Sequence, residues 1–100
     1  MPANSDDLVI IDNEAEGRFE TRVQGQTAVL EYTRSNGRAT YSSTQVPKEL
    51  EGHGIGGKLA NHALEDARAR GLKVVPSCPF VAAYIERHPE FADLVVRGDS

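Results

Sequence analysis

The sequence predicts an α+β domain in which an antiparallel β-meander is followed by a helix-strand-helix unit. Three observations lead there. From Leu8 to Val46 the residues alternate or favour β, and they break at turn formers. From Ile55 the apolar residues recur every four positions, the period of a helix face. Beyond Gly71 a short apolar run and a second helical pattern follow, separated by Pro76-Ser77-Cys78-Pro79.

The elements follow in order. Leu8-Val9-Ile10-Ile11 reads as a short strand ended by Asp12-Asn13, and Arg18 to Val23 alternates polar and apolar. Gly25-Gln26 turns the chain into a strand over 27–32. Ser35-Asn36-Gly37 carries the Asn-Gly signature of a tight hairpin, and Arg38 to Val46 returns as a strand that Pro47 ends. Ile55, Leu59, Ala63 and Ala67, widened by Ala60 and Leu64, predict an amphipathic helix to about Arg70, with Gly71 placed as a left-handed terminator. Leu72 to Val75 is a compact strand. Ser77 or Cys78 can cap a second helix with Pro79 in its first turn, with Val81, Tyr84, Ile85 and His88 on one face and Pro89 closing it. Arg97 to Ser100 read as a frayed end.

A chain of 100 residues supports one domain, 1–100, with its core from about residue 8 to 96. Hydrophobic residues make up 39% and charged residues 26%, the profile of a globular chain rather than a disordered one. A net charge of −4 offers no basic stripe for a duplex, so no nucleic-acid partner is expected. No apolar run approaches the roughly 20 residues of a membrane span, and the polar, acidic stretch from Met1 to Asp7 is unlike a signal peptide. These features, with the lone Cys78, predict a cytoplasmic location without a membrane partner. Oligomeric state is left open.

The densest signal is Glu51-Gly52-His53-Gly54-Ile55-Gly56-Gly57-Lys58, four glycines in six residues at the mouth of the first helix. A loop poor in Cβ atoms lets the backbone approach a ligand, and a helix start offers unpaired N–H groups and the positive end of its dipole to an anion. The cluster fits three phosphate-binding patterns. The dinucleotide G-x-G-x-x-G pattern needs an acidic residue at the end of the next strand, where Pro76-Ser77-Cys78 stands. The G-x-x-x-x-G-K pattern needs a hydroxyl at position 59, which is a leucine. Both also call for a parallel sheet, against the antiparallel first half.

The third pattern, [Gln/Arg]-x-x-Gly-x-[Gly/Ala], is the coenzyme A pyrophosphate loop of the GNAT N-acetyltransferase superfamily, and Gly54-Ile55-Gly56 fills its last three positions. The chain resembles in particular the minimal GNAT-like family, whose members lack the amino-terminal helices of larger ones. Val46-Pro47, the run from Val75 to Phe80, and Tyr84-Ile85-Glu86-Arg87-His88-Pro89 carry that resemblance over nearly the whole chain. It implies a GNAT-like fold with a splayed parallel strand pair, and acetyl-coenzyme A as co-substrate. Its pyrophosphate would rest on the amides of His53, Gly54, Ile55, Gly56, Gly57 and Lys58. Its pantetheine arm would lie between the strand ending at Val46 and the strand ending at Val75. One position departs: Glu51 stands where a basic or amide residue is usual, and a carboxylate at contact distance would repel the pyrophosphate by about 1 to 4 kcal/mol. Glu51 is therefore expected to point into solvent or toward Lys48.

Two residues carry the chemistry that the resemblance implies. Cys78 would sit beside the thioester near a helix start, where a thiol can accept the acetyl group covalently. As an ordinary buried cysteine it would instead be a small apolar filler. Tyr84 matches the tyrosine that protonates the departing thiolate in many GNAT enzymes, although packing on a helix face is the plainer role for such a tyrosine. His62 reads as solvated and His88 as a helix-terminal histidine that is also placed to deprotonate an amine. No set has metal-ligand spacing, so no metal is expected. The expected activity is transfer of acetyl from acetyl-coenzyme A to a primary amine of a small molecule or protein. The rival class is a coenzyme A-binding module without transferase activity. Glu14, Glu16, Glu20 and Glu31 are candidates to attract a cationic acceptor, against the plainer reading of a solvated charged face.

Overall fold

The computed structural model describes residues 8–96. Five strands form one sheet in the order of the chain: β1 (Ile11–Asn13), β2 (Arg18–Val23), β3 (Gln26–Ser35), β4 (Arg38–Gln45) and β5 (Lys73–Pro76). The first four are antiparallel neighbours, and β5 joins β4 in parallel after the crossover helix α1 (Ile55–Arg70). Helix α2 (Pro79–Arg87) follows β5. This is the α+β arrangement the sequence predicts, and no described helix is long and apolar enough to cross a membrane.

The period-2 and period-4 patterns converge on one core. Phe19, Ala28, Leu30, Tyr32, Ala39, Tyr41 and Val74 point from the sheet toward the α1 stripe of Ile55, Leu59, Ala60, Ala63, Leu64 and Ala67, and all are buried. Val81 and Ile85 of α2 close it from one end. The Tyr41 hydroxyl, deep in this core, donates to the Ala63 carbonyl at 2.8 Å, which satisfies a polar group that burial would otherwise penalise.

The Asn36-Gly37 hairpin stands where its sequence predicts, whereas the first turn falls at Gln24-Gly25 rather than Gly25-Gln26, so Gln26 already pairs and the third strand runs on to Ser35. Asn36 and Gly37 both take positive φ (56° and 75°), as do Gln24 and Gly25 (54° and 78°), the left-handed pairs that match strand twist in a two-residue loop. Gly71, at φ 72°, ends α1, and its amide and that of Leu72 bond back to the last turn.

Three further local features differ from the sequence reading. The first strand lies at Ile11–Asn13 rather than Leu8–Ile11, so Asp12-Asn13 pair instead of terminating it. Tertiary bonds override the turn preference there: Asp12 accepts from the Tyr32 hydroxyl and from Arg34 Nη2, and Asn13 donates to Glu20. Short 3-10 turns occupy Lys48–Leu50 and Pro89–Leu94, burying Leu50, Phe91 and Leu94. Cys78 occupies the N-cap of α2 without a side-chain capping bond, so neither it nor Ser77 caps through its side chain. The frayed end expected at Arg97 to Ser100, and the stretch from Met1 to Asp7, lie outside the described residues.

Candidate functional site

The site begins where β4 loses its partner. Pairing between β4 and β5 runs from Arg38↔Lys73 to Tyr41↔Pro76, while β4 itself continues to Gln45. A bulge opposite Glu31 and Tyr32 adds one residue at Ser42, which sharpens the local twist just where the two strands part. Cys78 then turns away, its amide donating to the Tyr41 carbonyl at 2.8 Å. Beyond this point no strand covers residues 42–45 of β4 on the β5 side among the described residues, the splayed geometry expected of the parallel pair.

A cavity of about 870 Å3 opens at this gap. It is bordered by Thr44, Gln45 and Val46 at the end of β4, by Gly54 to Gly57 at the start of α1, and by Phe80 of α2. Its other wall is the sheet face that points away from α1, where Arg18, Thr27, Val29 and Glu31 stand. One concavity thus joins the glycine loop to the free end of β4.

The loop presents backbone rather than side chains. Gly54 is the N-cap of α1 with φ 75°, a left-handed conformation that favours glycine, and no side chain caps the helix there. Ile55 is 3% exposed and packs in the core, so it can offer a ligand its amide alone. A Cβ on Gly56 would stand 2.9 Å from the tip of the Phe80 ring, so the glycine lets that ring lie directly against the start of α1. Lys58 is half-buried one turn into the helix, and His53 is exposed and borders neither depression.

A shallower groove of about 560 Å3 runs along α1 on the other side of the loop, bordered by Lys58, Asn61, His62 and Tyr84. Gly54 and Gly57 border both depressions, so a long ligand can cross the loop from one to the other. Tyr84 belongs to this groove: its ring stands 3.6 Å from the place of a Cβ on Gly57 and stacks on His88 with centroids 4.0 Å apart. His62 meets the Phe19 ring edge-on.

Cys78 is 3% exposed, and its Sγ lies 3.4 Å from Thr44 Oγ1. Thr44 borders the large cavity and stands between it and the thiol. Among the described residues no group of His, Cys, Asp and Glu is arranged to hold a metal. Sequence reasoning did not single out Thr44, Phe80 or Leu50 as cavity residues. A threonine at a strand end and a phenylalanine after Pro79 carry no signal until the fold closes around them.

A second polar cluster lies at the opposite end of α1. Arg34 reaches Asp12 at 2.8 Å and Asp66 at 3.1 Å, its guanidinium 4.2 Å from the centre of the Tyr32 ring, and Arg70 joins the same two carboxylates. Burial works to raise the Asp12 carboxyl, but the bonds from Tyr32 and Arg34 outweigh it and hold the group below its ordinary range. Burial, then the hydrogen bond to Asp12, pushes the Tyr32 phenol up to about 12. These residues border neither depression, and their ion pairs tie α1 to β1 and β3.

With this geometry in view, the family model described as GCN5-related N-acetyl-transferase matches residues 18–94. The chain belongs to the GCN5-related N-acetyltransferase family. The solution NMR structure of a GCN5-like protein from Staphylococcus aureus is similar to it at a TM-score of 0.70 and 26% identity, covering 93% of this chain and 94% of that one. No curated protein matches the sequence.

Proposed function

We propose that the protein transfers the acetyl group of acetyl-coenzyme A to a primary amine. The observation that carries this reading is the continuity of the glycine loop with the uncovered end of β4 in one cavity. The loop amides from His53 to Lys58, with the α1 dipole behind them, suit the pyrophosphate, and Lys58 adds positive charge. The groove along Asn61 and His62 takes the nucleotide end, and the cavity takes the pantetheine arm against residues 44–46. Glu51 is exposed on the cavity rim, where water screens its charge from the phosphates.

In the direct route the amine lone pair attacks the thioester carbonyl, polarised by a strand amide near Val46. The C–N bond forms, the nitrogen gives up its extra proton to water, the C–S bond breaks, and the thiolate takes a proton. Tyr84 is the proposed acid; it borders the groove and not the cavity, so this role requires the thiolate to lie beside Gly57, which borders both and packs against the Tyr84 ring. A second reading, in which Cys78 first accepts the acetyl group and then passes it on, is supported by the Thr44 contact. It also requires Thr44 to move, since the thiol is buried.

Calorimetric titration with acetyl-coenzyme A, ATP and NAD tests the ligand class; binding of ATP but not acetyl-coenzyme A would overturn it. Thiol release over a panel of amines tests the reaction, and binding without release from any amine would leave a coenzyme A-binding module. Cys78→Ala is expected to keep most of its turnover on the direct route. Abolished turnover in a folded Cys78→Ala protein would establish the covalent one.

A further inference from the structure

The inference that follows rests on the transferase reading and names the class of its acceptor. We propose that Glu31 anchors one cationic end of a small aliphatic diamine, leaving the other nitrogen free to attack the thioester. The structure separates the glutamates that the sequence leaves equivalent. Glu14 lies 3.6 Å from Arg34 and Arg70 in the far cluster, and Glu20 takes the Arg18 Nε at 2.9 Å and a bond from Asn13. Glu16 is exposed on the turn before β2 and borders neither depression. Glu31 alone of the four borders both the sheet wall and the cavity without a cation against it among the described residues.

Its setting is built by strand register. Arg18, Glu31 and Ser43 stand opposite one another across β2, β3 and β4. Arg18 Nε bonds Glu20 at 2.9 Å, and among the described residues no ion pair joins Arg18 to Glu31, although both border the cavity. The Ser43 hydroxyl donates to Glu31 Oε1 at 3.0 Å and fixes the carboxylate on the wall. Thr27, Val29 and Gln45 complete that wall with neutral side chains. A half-buried carboxylate in a concave, weakly polar setting attracts a cation more strongly than the same group on an open surface.

The chemistry of amines decides which nitrogen sits there. A carboxylate beside an ammonium favours its charged form, so a nitrogen held at Glu31 keeps its proton and has no lone pair for the thioester. Glu31 therefore suits a nitrogen that does not react. Two ammonium groups on one short chain disfavour each other's charge, so anchoring one leaves the other as the site that gives up its proton. A small aliphatic diamine meets both requirements, whereas a monoamine held at Glu31 is unreactive there.

The test compares putrescine with butylamine as acceptors for the wild-type protein, Glu31→Gln and the control Glu16→Gln. Glu31→Gln is expected to lower the putrescine-to-butylamine ratio of kcat/KM about tenfold, mainly through KM, and Glu16→Gln to leave it unchanged. Titration of the coenzyme A-saturated protein with putrescine gives a readout independent of turnover, with binding about tenfold weaker in Glu31→Gln. An unchanged ratio, or putrescine binding that is absent or insensitive to Glu31→Gln, overturns the proposal. Coenzyme A binding without thiol release from any amine overturns the transferase reading instead, and the putrescine titration still decides the role of Glu31.

Discussion

The two ends of α1 are built to opposite specifications. At the carboxyl end, Arg70 pairs with Asp66 at 2.8 Å, Arg34 ties both Asp66 and Asp12 to the sheet, and the amides of Gly71 and Leu72 return to the Arg68 and Ala67 carbonyls. At the amino end, no side chain caps the helix and Gly54 leaves its first amides facing a cavity. The difference assigns work within one element. A helix start that is left open to a ligand loses the local bonds that would hold it, and the far end, with the buried stripe between, supplies the rigidity in their place.

That division can be broken from either side. The largest effect is expected from Arg34→Met, which leaves Asp12 and Asp66 with only the more exposed Arg70 as a cation. Stability should fall by about 2 to 3 kcal/mol, discounted from a fully buried pair for the one-fifth exposure of the guanidinium. In a domain this size that is roughly 10 to 20 °C in Tm. Acetyl-coenzyme A affinity measured below the transition should stay within about twofold, and a parallel loss of binding would show the two ends to be coupled.

Two glycine substitutions sharpen the contrast, because the same strain is placed at opposite ends. Gly54 and Gly71 have φ of 75° and 72°, and a Cβ at either meets nothing within 4 Å. Replacing either with alanine should cost about 1 to 2 kcal/mol from the left-handed backbone alone. Only Gly54→Ala should also weaken acetyl-coenzyme A, by about tenfold. Equal binding by the two variants would remove the loop from the site.

A smaller and pH-dependent effect isolates the locked end. The Asp12 pKa is depressed in the folded protein, so its contribution is present above the unfolded value of 3.8 and is lost as pH falls through the lower folded value. Thermal melts from pH 5 downward should show wild-type stability declining below about pH 4. Asp12→Asn, less stable at pH 7, should lose less over the same range. A parallel decline in the two proteins would show that another carboxylate governs the acid limb.

Much of this was legible in the sequence, and its failures have physical reasons. The stripe from Ile55 to Ala67, the Asn36-Gly37 hairpin and the Gly71 terminator all rest on local rules, and each appears where those rules put it. The first strand was displaced because Asp12 gains more from Tyr32 and Arg34, twenty and more residues away, than from a turn. No local pattern contains that pair. The glycine loop could be read because glycines crowded at a helix start are a local pattern, whereas Glu31 could not be separated from other strand glutamates by spacing. Its distinction is positional: its cross-strand neighbour Arg18 bonds Glu20, and its face borders a cavity closed by residues 44–57.

The order of the sheet carries a consequence for how the molecule is made. β2, β3 and β4 each pair with the strand before them, so this part of the sheet needs only short hairpin closures, and its contacts are local in sequence. Only β5 has to wait for a crossover, and the Val74–Val95 bridge follows later still. The cavity, bounded by α1 and α2, is therefore expected to form after the meander, because its walls meet only through contacts distant in sequence.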